Sequence, residues 1–261
     1  MMKNESKTLY IPLYGKALVS KKGIILCDKK AEEIWEKEQF PLGGKSKSKW
    51  LAYFMAMRAA VIDRWTEEKL AENPNSVVIH LGCGLDSRID RVSGEFTAWY
   101  DVDLPEVIAV RKNYYSSWQR YEMYPASAAE TDWLINLPDY EHGVLIMEGI
   151  SMYLSEEAIK NLFSAVSEKY KSLDIIMDVY TEKAVRMSKI KNPIKDVGAG
   201  ASFGTSEHGI FENDEIRFDG ELCMTPESMI NELSGFEKEF FKTMFAGRFA
   251  KGLYKIFTYK K

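Results

Sequence analysis

Through the first 75 residues, apolar positions recur at helical spacing. AEEIWEKEQF (31–40) and SKWLAYFMAMRAAVIDRWTEEKL (48–70) predict helices, and in the second Leu51, Phe54, Met55, Arg58, Ala59, Ile62 and Trp65 fall on adjoining faces. AENPNS (71–76) closes that helix with proline and asparagine turn signals. From 76 to 180 the pattern changes. Four short apolar runs, Val77–Leu81, Phe96–Val102, Val144–Met147 and Ile175–Val179, predict parallel strands buried on both faces. Helical stretches fall between them, near Leu104–Trp118 and Glu156–Tyr170, the latter with Ser155 as its N-cap. This alternation implies a right-handed, doubly wound α/β sheet.

Residues 181–235 lose the period. VGAGASFGTSEHGIFEND (197–214) is rich in Gly and Ser, and TPESMINELSG (225–235) reads as a helix with Thr225 as N-cap, Pro226 first and Gly235 at its end. Two closing strands are expected near Glu237–Thr243 and Leu253–Tyr259, close enough for an antiparallel hairpin. The chain thus divides into an N-terminal helical cap, 1–75, and a core, 76–261, with an acceptor or lid insertion at about 181–235.

Composition narrows the setting. The 261 residues, 46% hydrophobic and 28% charged, suffice for a core without disulfides or metal. A net charge of −4 argues against a nucleic-acid surface. Cys27, Cys83 and Cys223 form no CxxC pair and read as free thiols in a reducing compartment. The opening MMKNESKTLY has no signal-peptide core, and no apolar run approaches the roughly 20 residues of a membrane span. A cytoplasmic protein engaging neither membrane nor nucleic acid is expected. No His/Asp/Glu cluster has metal-ligand spacing.

The sharpest chemical signal is VVIHLGCGLDSR (77–88), an apolar strand running into Gly82-Cys83-Gly84. Glycines there let the backbone turn tightly and approach a ligand at the carboxyl end of a strand. The next strand ends in Asp101 and Asp103, 17 and 19 positions after Gly84. An acid at this distance suits both hydroxyls of an adenosine ribose, with Asp103 the first choice and Asp101 the second. Asp103 is equally placed to cap the helix that follows Leu104-Pro105. A dinucleotide fingerprint would put Gly or Ala at position 87, where this chain has Ser87, and there is no GxxxxGK[ST] for a triphosphate. S-adenosylmethionine (AdoMet), which carries no phosphate, fits better.

LGCGLDSR, YDVDLPEVIAVRK and EGISMYLSEEAIKNLF, in that order and spacing, resemble successive motifs of the leucine carboxyl methyltransferase superfamily, which includes tetracenomycin-type polyketide O-methyltransferases. The resemblance covers roughly residues 45–180. It implies a Rossmann-like class I methyltransferase fold, a seven-stranded and mostly parallel sheet whose last strand is reversed. By position it implies that Arg58 holds the methionine carboxylate, that Gly82 and Gly84 line the cofactor, and that Asp103 takes the ribose. Ser127-Ala128 stands where relatives have Asp-Leu beside the adenine, and Glu148 matches an acid near the methionine amino group. Tyr153 would border the sulfonium.

Bland roles compete with these. Arg58 can pair with Asp63 or Glu67 along its own helix. Asp86 and Arg88 suggest an internal ion pair that fixes the loop, and Lys45, Lys47 and Lys49 either close over the cofactor carboxylate or, for most of them, stand as solvated charges. Glu148, directly after an apolar run, is harder to dismiss, since a buried carboxylate needs a partner and a bound ammonium supplies one.

Methyl transfer from a sulfonium needs alignment, exclusion of water and a deprotonated nucleophile. A carboxylate is already ionised near neutral pH, whereas a phenol gains from a base. Of three histidines, His80 reads as a core residue, His142 as an exposed turn residue, and His208 as the candidate base, with Tyr153 the other catalytic candidate. Phe203, Phe211, Arg217 and Met224 are candidates to line an acceptor pocket, covered from the other side by Tyr10, Tyr14 or Trp35. The expectation is an O-methyltransferase acting on a small-molecule acceptor, with oligomeric state unspecified. Rival readings are a protein C-terminal carboxyl methyltransferase, a non-catalytic AdoMet binder and a nicotinamide oxidoreductase.

Overall fold

Strand β1 (Val77–Leu81) is buried along its whole length, as a central strand covered on both faces must be. It pairs in parallel with β2 (Ala98–Asp103) on one side and β4 (His142–Met147) on the other. Strand β3 (Tyr121–Pro125) flanks β2, and β5 (Ser172–Tyr180) flanks β4. The last strand, β7 (Tyr254–Lys260), runs antiparallel to β5, and β6 (Arg217–Leu222) forms the outer edge. The order is β3-β2-β1-β4-β5-β7-β6. This computed structural model describes residues 9–38, 40, 42, 44–188 and 201–261.

Side chains alternate across the sheet with the period of a strand. Val78, Trp99, Val144, Ile146 and Ile176 pack toward helices α1 (Tyr10–Lys22), α2 (Lys29–Glu38) and α3 (Lys49–Glu72). Val77, Ile79, Leu81, Leu145, Met147 and Ile175 pack toward the face covered by α6 (Glu156–Lys169), whose N-cap Ser155 accepts from Ala158 N. Short α4 (Arg88–Arg91) and α5 (Pro105–Arg111) follow β1 and β2, and α7 (Glu182–Ser188) follows β5. Strand order reverses between β1 and β4, which opens a crevice beyond their carboxyl ends.

Several expectations change. Glu237–Thr243 is not a strand but part of α9 (Gly235–Phe245), where Phe236, Phe240, Phe241, Met244 and Phe245 recur at helical spacing. The partner of β7 is β6, an edge strand with no fully buried residue and hence little hydrophobic signal. The helix expected over 225–235 is short, α8 (Glu227–Ile230), with Pro226 as its N-cap, and Gly235 opens α9 with φ +51°. A last helical turn, α10 (Arg248–Lys251), precedes β7. Residues 189–200 of the expected lid lie outside the described residues. Among the described residues no helix is long and apolar enough to cross a membrane.

Candidate functional site

The glycine turn is locked to the end of β2. Gly82 adopts φ +71° and its amide donates to Val102 O at 2.7 Å; a Cβ there would stand 2.0 Å from Ile150 Cγ2. Gly84, at φ +54°, donates to Asp103 Oδ2 at 2.7 Å, and Leu104 N donates to Asp103 Oδ1 at 2.7 Å. Asp103 therefore fixes the turn and the entry to α5 at once. Burial raises its carboxyl above the ordinary range despite those amides. Each oxygen still has lone-pair capacity for a hydroxyl donor.

Asp101 is spent elsewhere. It accepts from His80 Nδ1 at 3.1 Å, Trp99 Nε1 at 2.9 Å, the Tyr121 hydroxyl at 2.7 Å and Arg111 Nη2. Four donors fill a carboxylate, so the second-choice ribose acid is a structural node instead. Burial works to raise its carboxyl, yet Arg111, His80 and Tyr121 hold it down at about 2. Arg88 Nη1 lies 2.9 Å from His80 Nε2. An arginine can only donate, so Nε2 accepts and the ring proton sits on Nδ1, toward Asp101.

Glu148, just past β4, joins two arginines. Arg58 Nε donates to Oε1 at 2.9 Å and Nη2 lies 2.8 Å from the same oxygen, while Arg88 Nη2 donates to Oε2. Burial pushes the Glu148 carboxyl up, but Arg58 and Arg88 outweigh it and hold it well below the usual glutamate range. Its partners thus come from the protein, where the sequence suggested a bound ammonium. Arg58 does not pair with Asp63 or Glu67. Asp63 serves Arg88 at 2.7 Å and Arg91 at 2.8 Å, and Glu67 accepts from Ser93. Asp86 does not pair with Arg88 either; it binds Lys16, and its Oδ1 lies 3.0 Å from Arg91 Nη2 without hydrogen-bond alignment.

One cavity of about 420 Å³ brings Arg58, Gly82, Gly84, Asp103, Ser127, Ala128, Glu148 and Tyr153 together. Its size falls in the usual range for small-ligand sites. Ser127 Oγ accepts from Ala129 N at 3.2 Å. Lys16, Asp178, Tyr180 and Tyr254 are the functional candidates that sequence reasoning missed. Lys16, Tyr180 and Tyr254 line the cavity, and Asp178 stands behind it. Their signals were a lysine inside the apolar stretch of α1 and an aspartate inside IIMDVY of β5. Both are charges where the pattern calls for none.

Other expected residues lie off this cavity. Phe211 is buried behind the sheet against Phe163 and Tyr259, and Phe203 packs on Phe211. Arg217 is exposed on β6, and His208 stacks on Phe218 at 3.8 Å. Met224 lines a separate hollow with Phe54 and Tyr254. Tyr10 stacks on Phe40 and Tyr14 packs on Trp35; α1 faces the cavity with Ile11, Pro12 and Leu13 instead. Lys45 and Lys47 are exposed, and Lys49 pairs with Glu237. His142 is the buried first residue of β4, between Ser76 Oγ at 2.7 Å and Asp174 at 3.0 Å.

The chain is 27% identical over 236 residues, 89% of its own length and 87% of the relative's, to a tetracenomycin polyketide synthesis O-methyltransferase of Streptomyces glaucescens. It is 28% identical over 136 residues to an S-adenosyl-L-methionine-dependent methyltransferase of Gibberella zeae, a match spanning 49% of this chain and 46% of that one. Among solved structures, a methyltransferase of Mesorhizobium loti superposes with TM-score 0.51 at 10% identity, covering 76% of this chain and 98% of that one. Magnesium protoporphyrin IX methyltransferase of Synechocystis gives TM-score 0.50 at 10% identity, covering 90% and 98%. These structural likenesses speak to the fold alone. The leucine carboxyl methyltransferase family model matches residues 2–167, well over half of the chain. With the reversed β7 and the glycine turn of β1 both in place, this protein belongs to the leucine carboxyl methyltransferase family, whose cofactor is AdoMet.

Proposed function

We propose that the protein transfers the methyl group of AdoMet to an oxygen, a carboxylate, of a small-molecule acceptor. The observation that carries this reading is the placement of Asp103, Arg58 and Glu148 on one cavity wall. Asp103 has acceptor capacity for ribose hydroxyls. Arg58 keeps one Nη2 hydrogen uncommitted, and Glu148 Oε2 has one further acceptor site, a donor and an acceptor matched to a zwitterionic amino acid. Lys16 and Arg58 stand against Asp86, Asp103 and Glu148 on the described wall, two cations to three carboxylates. That acidic excess suits a cofactor whose sulfonium and ammonium outnumber its carboxylate.

When bound, the cofactor supplies an electrophilic methyl on sulfur. The chain's residues orient and dry the site: Ile11, Pro12 and Leu13 from α1, Leu51 and Met55 from α3, and Met152 and Tyr153 after β4 form an apolar wall. Helices α1 and α3 act as the cap, closing over the cavity from the N-terminal side. His80 reaches the cavity, but both of its ring nitrogens are engaged. With His208 on another surface, the described wall offers no free imidazole, which favours an acceptor that is already ionised.

Calorimetry with AdoMet, S-adenosylhomocysteine and NADH tests the cofactor. Micromolar binding of the first two and none of the third is expected; NADH binding, or no AdoMet binding, overturns the proposal. For the acceptor, hydroxybenzoates carrying both a carboxyl and a phenol are offered with methyl-labelled AdoMet. Label released as methanol by mild alkali marks an ester, and alkali-stable label refutes carboxyl methylation.

A further inference from the structure

The arginine facing the cavity from α3 is gripped from behind. Asp178, fully buried near the end of β5, takes Arg58 Nη1 at 2.9 Å and Gly149 N at 2.7 Å. The Tyr254 hydroxyl accepts from the same Nη1 at 2.6 Å and donates to Asp178 Oδ2. The three side chains close a triangle. Tyr254 reaches it because β7 runs antiparallel to β5 and sets Tyr254 opposite Tyr180, two residues past Asp178.

The donor count gives the triangle its meaning. Both hydrogens of Arg58 Nη1 are committed, one to Asp178 and one to Tyr254. Nε and one hydrogen of Nη2 face Glu148 Oε1. A guanidinium held by Glu148 alone would be free to swing about that carboxylate and settle into a two-point pairing of its own choosing. A second anchor on the opposite edge fixes its plane. Asp178 also ties down the Gly149 amide, the residue after Glu148, so both groups on the cavity wall are set by one carboxylate.

We propose that Asp178 and Tyr254 are positioning residues for the amino-acid end of the cofactor, holding Arg58 and the Glu148-Gly149 turn so that one N–H and one carboxylate lone pair remain for the ligand's carboxylate and ammonium. This rests on the AdoMet reading above. Neither residue needs to touch the reacting atoms. The role is specific to the amino-acid half of the ligand and indifferent to the nucleoside half, which lies with Asp103 and Ser127.

The test uses two ligands that differ in that half: S-adenosylhomocysteine, and 5′-methylthioadenosine, which lacks the amino acid. Tyr254→Phe removes the hydroxyl but keeps the ring and its edge-on contact with Tyr180, 4.7 Å between centroids. In calorimetric titrations this variant is expected to bind S-adenosylhomocysteine about tenfold more weakly while 5′-methylthioadenosine stays within twofold, as befits losing a hydrogen bond to a charged group. Asp178→Asn is expected to show the same split, larger. Equal losses for both ligands would mean general damage to the fold, and no loss for either would mean that Arg58 needs no second anchor; each result overturns the positioning role and leaves the cofactor reading standing. Wild-type protein that binds neither nucleoside sinks that reading, and the clamp with it.

Discussion

Glu148→Gln is the most demanding test of the buried network. The carboxylate serves two guanidiniums, Arg58 through Oε1 and Arg88 through Oε2, and its side chain is 5% exposed. Glutamine keeps the shape but offers one acceptor oxygen; its amide must point hydrogens at the other arginine. Removing one partner of a buried ion pair costs roughly 3–5 kcal/mol. Here each arginine retains a second carboxylate, Asp178 for Arg58 and Asp63 for Arg88, so the lower end, about 3 kcal/mol, is expected. For a chain of this size that corresponds to about 6–12 °C in Tm. Urea denaturation followed by tryptophan fluorescence measures it, with Glu67→Gln, at an exposed serine contact, as the control that should move by no more than about 0.5 kcal/mol. S-adenosylhomocysteine affinity should fall in parallel, because the remaining Oε2 acceptor is lost. A loss below about 1 kcal/mol would refute the claim that Glu148 is the electrostatic joint between α3 and α4.

Asp103→Ala removes two amide contacts of 2.7 Å and the ribose acceptor, and should weaken S-adenosylhomocysteine binding by about 1–3 kcal/mol in calorimetry. Gly82→Ala forces a side chain into φ +71° and against Ile150, and should cost about 2–4 kcal/mol by thermal unfolding. Asp101 titrates at about 2 in the fold, down from 3.8, so its contribution is complete above pH 4 and is lost as pH falls from about 4 toward 2. That loss amounts to about 2 kcal/mol, and Asp101→Asn should flatten this part of the stability profile. His208→Ala should leave S-adenosylhomocysteine affinity within about twofold, since the ring stacks on Phe218 away from the cavity.

The periodicity of the chain determined most of the sheet. Runs such as Val77–Leu81 can satisfy their apolar side chains only as buried strands, and Ser155 can cap α6 by a contact three residues away. Gly82, Gly84 and Asp103 were legible for the same reason, since strand, turn and acid sit within one local unit. What a pattern cannot encode is the identity of a distant partner. It marks Arg58 as lying on the packed side of a helix, but Glu148 lies 90 positions away and Asp178 120, farther than any helical spacing reaches. Asp101, the second choice for the ribose, is taken out of contention only by Arg111 and Tyr121 folding onto it. Edge strand β6 and helix α9 were misread because an edge strand is defined by backbone pairing with β7, while inside Glu237–Thr243 the only apolar residues, Phe240 and Phe241, are adjacent and fix no period. Sequence thus set which residues must leave water; tertiary structure decided what each of them meets, because burial is a local demand and pairing is a long-range one.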